Sequence, residues 1–223
     1  MTIPYKPQQS PIDLSEATNV AVVFPTHYLD LRWDGPLEGK PEGDPGEVEF
    51  VFKNIDSGAG IALDGKFFHL VKYHFHTPSE HKVNGDNWPL ELHIVHKNPK
   101  DNLLAVIAVW VEPGKARPEA TRFFKELTER LSSKETKVAP AATVTHDPRD
   151  LLPVDRGDFY RYEGSLTTDP KADNPETVSW LIFRDTLRVD DATLKAFIKY
   201  AHAAKGVQDP ARRFVLRNFI PAR

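Results

Sequence analysis

Lys72 to His96 read KYHFHTPSEHKVNGDNWPLELHIVH. Two histidines, His74 and His76, stand two apart at the end of a segment, Phe67 to Phe75, that alternates along its length. Successive side chains of a strand point to opposite faces, so both imidazoles project from one face. Asn84-Gly85 follows, the strongest short signal for a hairpin turn. The chain then returns as Leu90 to His96, in which Glu91, His93 and Val95 share a face. An antiparallel pair in suitable register brings His93 beside His74 and His76. Three neutral imidazoles on a sheet face supply three corners of a tetrahedron. Zinc accepts that geometry and keeps the fourth corner for water, the layout of a catalytic rather than a closed structural site. A histidine pair alone is a weak signal, because two histidines on a strand face are more often structural. The third histidine on the hairpin partner gives the ligand reading its weight.

The same strand pattern extends on both sides. Gly46 to Lys53 (GEVEFVFK) alternates, with Val48, Phe50 and Phe52 on one face. Leu103 to Val111 reads as a strand buried on both faces, and Val178 to Arg184 as a further strand. Two segments carry a helical period. Pro118 to Leu131 puts Ala120, Phe123, Phe124, Leu127 and Leu131 on one stripe with a proline in the first turn. Asp191 to Ala204 aligns Leu194, Phe197, Ile198 and Ala201, with Asp at its start and Gly206 after its end. Gly35 to Gly46 (GPLEGKPEGDPG) reads as a loop. Strand signal resumes on both sides of it, so no domain boundary falls there. The expected fold is mainly β (α+β): one domain over residues 1–223, with a large, mostly antiparallel twisted sheet and a few surface helices.

Composition narrows the function classes. The 223 residues suffice for one sizeable core. A net charge of −3, with no long basic run, gives no reason to expect a nucleic-acid or membrane-surface partner. The chain has no cysteine, so disulfides, thiolate nucleophiles and cysteine-held metals are excluded, and any metal must sit on His and carboxylates. Its longest apolar run, Leu103 to Val111, is about half of what spans a bilayer.

HFHTPSEH followed by ELHIVHKN closely resembles the zinc-binding core of α-class carbonic anhydrases in their bacterial form. Gln9-Ser10-Pro11-Ile12 is similar to the family's QSPI element, and Tyr162 to Thr168 (YEGSLTT) to its Y-x-GSLTT element. Leu104-Ala105-Val106 and Val178-Ser179-Trp180 match its pocket-lining strands. The matches keep the family's order from Gln9 to Phe183. The resemblance implies reversible hydration of carbon dioxide on Zn2+, with His74, His76 and His93 as ligands. In that family the metal activates its bound water near neutral pH. The resemblance also implies that Thr167 accepts a hydrogen bond from the zinc-bound nucleophile and donates its own proton to Glu80. A hydroxyl can be donor and acceptor at once, whereas an ionised carboxylate only accepts. Glu91 is implied as the acceptor that fixes the tautomer of a ligand histidine. Val95, Val106, Leu166, Val178 and Trp180 are implied as the apolar wall that holds the substrate.

Four departures from the family pattern matter. Lys72 stands where the family usually has a glutamine that bonds a ligand histidine, and an ammonium has no lone pair to offer. No histidine occupies the usual proton-shuttling position; Glu47, in DPGEV, stands near it as a weak substitute. The aromatic segment expected before QSPI is missing. After GSLTT, Asp169-Pro170 runs into KADNPET, which reads as a small insertion at the rim.

The remaining histidines have plainer readings. His81 and His96 are expected to bond within the core, and His27, His69, His146 and His202 to be surface or structural. The expected partner is a small molecule, carbon dioxide or bicarbonate, with a homodimer left open. Bacterial relatives imply a periplasmic or secreted location. The start, MTIPYKPQQSPIDL, lacks a basic region followed by an apolar one, so a cytoplasmic location also stays open. The competing reading is a catalytically silent relative that serves as a binding module. A dedicated zinc hydrolase is disfavoured, because no HExxH motif supplies a carboxylate base.

Overall fold

The computed structural model describes residues 8–25, 28–53, 58–101, 103–135, 143–167 and 178–220. Among these the chain forms fourteen strands and two α-helices. The strands are β1 (Thr18–Ala21), β2 (Leu29–Arg32), β3 (Leu37–Glu42), β4 (Glu49–Phe52), β5 (Gly60–Leu63), β6 (Lys66–Thr77) and β7 (Leu90–Lys97). They continue as β8 (Leu104–Pro113), β9 (Val144–His146), β10 (Phe159–Gly164), β11 (Val178–Phe183), β12 (Leu187–Val189), β13 (His202–Ala203) and β14 (Phe214–Arg217). The helices are α1 (Pro118–Glu135) and α2 (Asp191–Ile198).

All the strands join one twisted sheet, ordered β1-β14-β10-β11-β8-β7-β6-β4-β3-β9, with β5, β12 and β13 also paired onto β6 or β8 and β2 paired onto β5. The sheet is mixed but mainly antiparallel. Its parallel pairs are β1 with β14, β8 with β11 and β12, and β6 with β13.

Period-two alternation sorts the central strands onto two faces. Tyr73 and Phe75 of β6, Leu90, Leu92 and Ile94 of β7, and Ile107, Val109 and Val111 of β8 enter one large core. That core is capped by α1, whose Ala120, Phe123, Phe124, Leu127 and Leu131 are all buried, the stripe that the helical period predicts. Each such phenylalanine stabilises by about 2 kcal/mol through burial. The opposite face carries a smaller cluster, with Val95, Val106, Ala108, Trp110, Val178, Trp180 and Ile182. His74, His76 and His93 alternate with the large-core residues and therefore lie on this second face.

Three local expectations change. The segment Gly35 to Gly46 is not all loop. It contains β3, which pairs with both β4 and β9, and Gly39 fits there because a Cβ would run into the Phe50 ring. Asn84-Gly85 do adopt the positive φ of a primed turn (54° and 80°). The turn closes only a small Val83–Asp86 bridge within the long β6–β7 connection, and does not join the two strands directly. The second helix ends at Ile198, short of Ala204. Beyond it the Tyr200 carbonyl accepts from Val48 N (3.3 Å), and His202–Ala203 pair with His76–Thr77. Sheet pairing thus overrides the helical period over the last turn.

Candidate metal centre

Strands β6 and β7 pair antiparallel with His74 opposite His93 and His76 opposite Glu91. This is the register that brings three imidazoles together. His93 Nδ1 lies 3.0 Å from His74 Nε2. One ring nitrogen from each of His74, His76 and His93 falls within 4.8 Å of the others. None of the three is more than 2% exposed.

Burial disfavours charge here. It pushes the His74 imidazole well down, with His93 and His76 adding to the effect, and takes His76 to about 2. Neutral imidazoles keep lone pairs for a cation. His74 Nδ1 and both nitrogens of His76 are buried without a hydrogen-bond partner. The unpartnered His76 ring is the chemistry that a metal would satisfy, whereas His74 faces the centre with its other nitrogen, Nε2, and the all-nitrogen donor set suits zinc.

Behind the triad lies a buried polar chain. Glu91 Oε1 accepts from His93 Nε2 (2.7 Å) and His81 Nδ1 (2.6 Å), and Oε2 accepts from the His81 backbone N–H (2.9 Å). His81 Nε2 is 2.7 Å from the Tyr162 hydroxyl, which donates to Ser10 Oγ at 2.9 Å. Burial alone would raise the Glu91 pKa. Its close contacts with His81, and then His93, outweigh it and hold the carboxyl well below the usual range. With its Nε2–H tied to Glu91, His93 presents Nδ1 to the centre.

Glu80 and Thr167 are also buried, at 1% and 4% exposure. Glu80 Oε1 accepts from the Lys205 backbone N–H (2.9 Å) and lies 3.3 Å from His76 Nδ1. Burial pushes the Glu80 carboxyl up to about 7, a rise that the nearby Thr167 hydroxyl partly offsets. Thr167 Oγ1 and Glu80 Oε2 nevertheless have no bond of full geometry, so the pair is adjacent rather than locked. Val95, Val106, Val178 and Trp180 are buried in one apolar cluster, and Leu166 packs against it. The Trp180 ring is 4.8 Å from that of His93, and its Nε1 donates to the Ser165 carbonyl (3.0 Å).

Other candidate residues fall outside this group. Lys72 turns to Glu49, Nζ to Oε1 at 2.5 Å. Glu47 is exposed in the turn before β4. His96 is buried, bonds the Ala105 carbonyl and stacks on Trp33. His146 is buried among aromatic rings, with Nε2 3.2 Å from the Tyr73 hydroxyl. His27, Thr168 and the 169–177 insertion lie outside the described residues. His202, expected to be surface or structural, lies beside the triad. Its ring centroid lies 6.0 Å from that of His74 and 5.5 Å from that of His76. No local motif signals it; only the β13–β6 pairing brings it there.

Comparisons with known proteins agree with this geometry. The model of the family described as eukaryotic-type carbonic anhydrase matches residues 3–219. A carbonic anhydrase of Klebsiella pneumoniae is 34% identical over 199 residues, covering 87% of this chain and 72% of that protein. One from Pectobacterium carotovorum is 32% identical over 151 residues, 68% of this chain and 58% of that protein, so the match spans little more than half of that relative. Among solved structures, the α-carbonic anhydrase of Thermovibrio ammonificans, in complex with the inhibitor sulfanilamide, superposes with a TM-score of 0.72. It is 28% identical, covering 94% of this chain and 86% of that one.

Proposed function

The chain belongs to the eukaryotic-type carbonic anhydrase family, and from that premise we propose that it catalyses reversible hydration of carbon dioxide to bicarbonate and a proton, using zinc held by His74, His76 and His93. The observation that carries the proposal is the convergence of three buried imidazoles, one of which, His76, has no hydrogen-bond partner on either ring nitrogen. Bound there, zinc supplies Lewis acidity that makes water a nucleophile near neutral pH.

The chain's own residues do the rest. Glu91 holds the tautomer of His93 through Nε2. Thr167, beside Glu80, donates its proton to the carboxylate and leaves its oxygen to accept from the nucleophile, which fixes the direction of attack. Val95, Val106, Leu166, Val178 and Trp180 give an apolar wall on which carbon dioxide, a nonpolar gas, competes with water. Glu47 stands near the usual shuttle position and is exposed. With no histidine at that position, the proton leaves mainly to buffer. The whole chain is read as one domain of this fold.

The proposal extends to an exported location, periplasmic or secreted, by likeness to bacterial members. No helix among the described residues is long and apolar enough to cross a membrane.

Stopped-flow carbon dioxide hydration on zinc-quantified protein, repeated across buffer concentrations, tests the function. The expected result is activity that rises with buffer. Full zinc occupancy with no hydration above the buffer rate would sink the catalytic reading.

A further inference from the structure

The three histidines of the centre are not equally supported. His93 hands its outer nitrogen to Glu91. With a metal on its Nε2, which faces the centre, His74 must carry the ring proton on Nδ1, and that nitrogen is buried with no acceptor. The residue two before it on the same strand face, Lys72, offers only donors and is bonded to Glu49. An imidazole that binds a metal almost always donates its other N–H to some acceptor, which fixes ring and tautomer.

One ring beside His74 has the complementary need. His202 packs edge-on against it, with centroids 6.0 Å apart and planes at 69°, and tilted against His76 at 5.5 Å. The pairing of His202 with His76 in the sheet fixes it there. His202 Nε2 is buried without a hydrogen-bond partner. With the ring proton on Nδ1, that nitrogen holds a bare lone pair. A buried donor without an acceptor and a buried acceptor without a donor thus lie on neighbouring rings.

We propose that His202 is a positioning residue for the metal ligand His74: its Nε2 accepts the Nδ1–H of His74 when zinc is bound, across a gap that one water or a small turn of the ring closes. It takes the place that Lys72 cannot fill. The inference rests on the zinc reading of the triad. The rival acceptor is Glu49, which pairs with His74 across β4 and β6. Its Oε1 is taken by Lys72.

The test is zinc affinity, measured by competition with a chromophoric chelator on full-length protein, with circular dichroism of the metal-free forms as the folding control. His202→Phe keeps a ring but removes the acceptor, and should weaken zinc binding about 10- to 100-fold. Lys72→Gln in the same background puts an amide oxygen on the His74 face and should restore most of the loss, which a merely structural role would not allow. Affinity of His202→Phe within about twofold of the unaltered protein overturns the inference. So does loss with Glu49→Gln in place of His202→Phe. If His202→Phe does not fold, nitrogen NMR of the zinc-loaded unaltered protein decides, since a protonated His202 Nε2 overturns the proposal. An unaltered protein that binds no zinc at all overturns the function reading as well, an outcome distinct from zinc binding that is indifferent to His202.

Discussion

His93 Nδ1 and His74 Nε2 face each other at 3.0 Å across directly paired positions of β6 and β7. A cation shared by both nitrogens satisfies two lone pairs that would otherwise repel at that separation. Saturating zinc, at about a thousand times its dissociation constant, should stabilise the fold by about 4 kcal/mol. A urea titration with and without zinc checks this. His93→Ala should remove both the stabilisation and stoichiometric zinc, seen by metal analysis.

Thr167→Val removes the hydroxyl that stands beside Glu80 at nearly constant volume. Hydration should fall by on the order of a hundredfold with zinc content unchanged, whereas Thr167→Ser should keep most of the activity. Equal activity in Thr167→Val and the unaltered protein would show that the hydroxyl has no part in the reaction.

Glu91 is wholly buried and anchors both His93 and His81. Glu91→Ala leaves two ring N–H groups without their acceptor and should cost about 3–5 kcal/mol of stability. Glu91→Gln keeps an acceptor oxygen but loses the charge, and should be milder in stability while still lowering zinc affinity about 10-fold or more. Chemical denaturation paired with chelator competition separates the two effects.

His146 gives the pH dependence. Burial pushes its pKa down to about 3, against an unfolded value near 6.5. A depressed histidine favours the folded state while both forms are neutral. Its contribution is therefore complete above about pH 6.5 and is lost as pH falls toward 3. Between pH 7.5 and 5 this amounts to about 2 kcal/mol for the one group. His146→Phe, which fits the surrounding rings, should flatten that part of the stability–pH curve. A denaturation series at the two pH values reads it directly. His96, likewise held near 3 by burial, keeps some acid sensitivity in the variant.

Much of this was legible in the sequence because strand period and helix period report which face a residue takes. Phe67 to Phe75 and Leu90 to His96 placed the histidines on one face, and the α1 stripe named its buried residues one by one. What stayed hidden depends on long-range pairing. Nothing in Gly35 to Gly46 marks β3, since its glycines and prolines signal a loop until β4 and β9 supply partners. The helix expected through Ala204 stops early because β6 captures the chain, and His202 arrives beside the triad by that same pairing. The roles of Thr167 and Glu80 came from family likeness alone, as no spacing rule joins residues so far apart.

Strand β13 is only two residues long, yet the backbone N–H of Lys205, just beyond it, holds Glu80. Short, thinly bonded elements open at low free energy, well before the long central strands. Amide hydrogen exchange should therefore be faster at Ala203 to Lys205 than along β6 and β7. The two ends of the centre then differ in lifetime. The imidazoles stay assembled through most local opening, while the carboxylate side is released and recaptured many times for each global unfolding. Tightening β13 against β6, without touching a ligand, is the route by which Glu80 alone could be made more rigid.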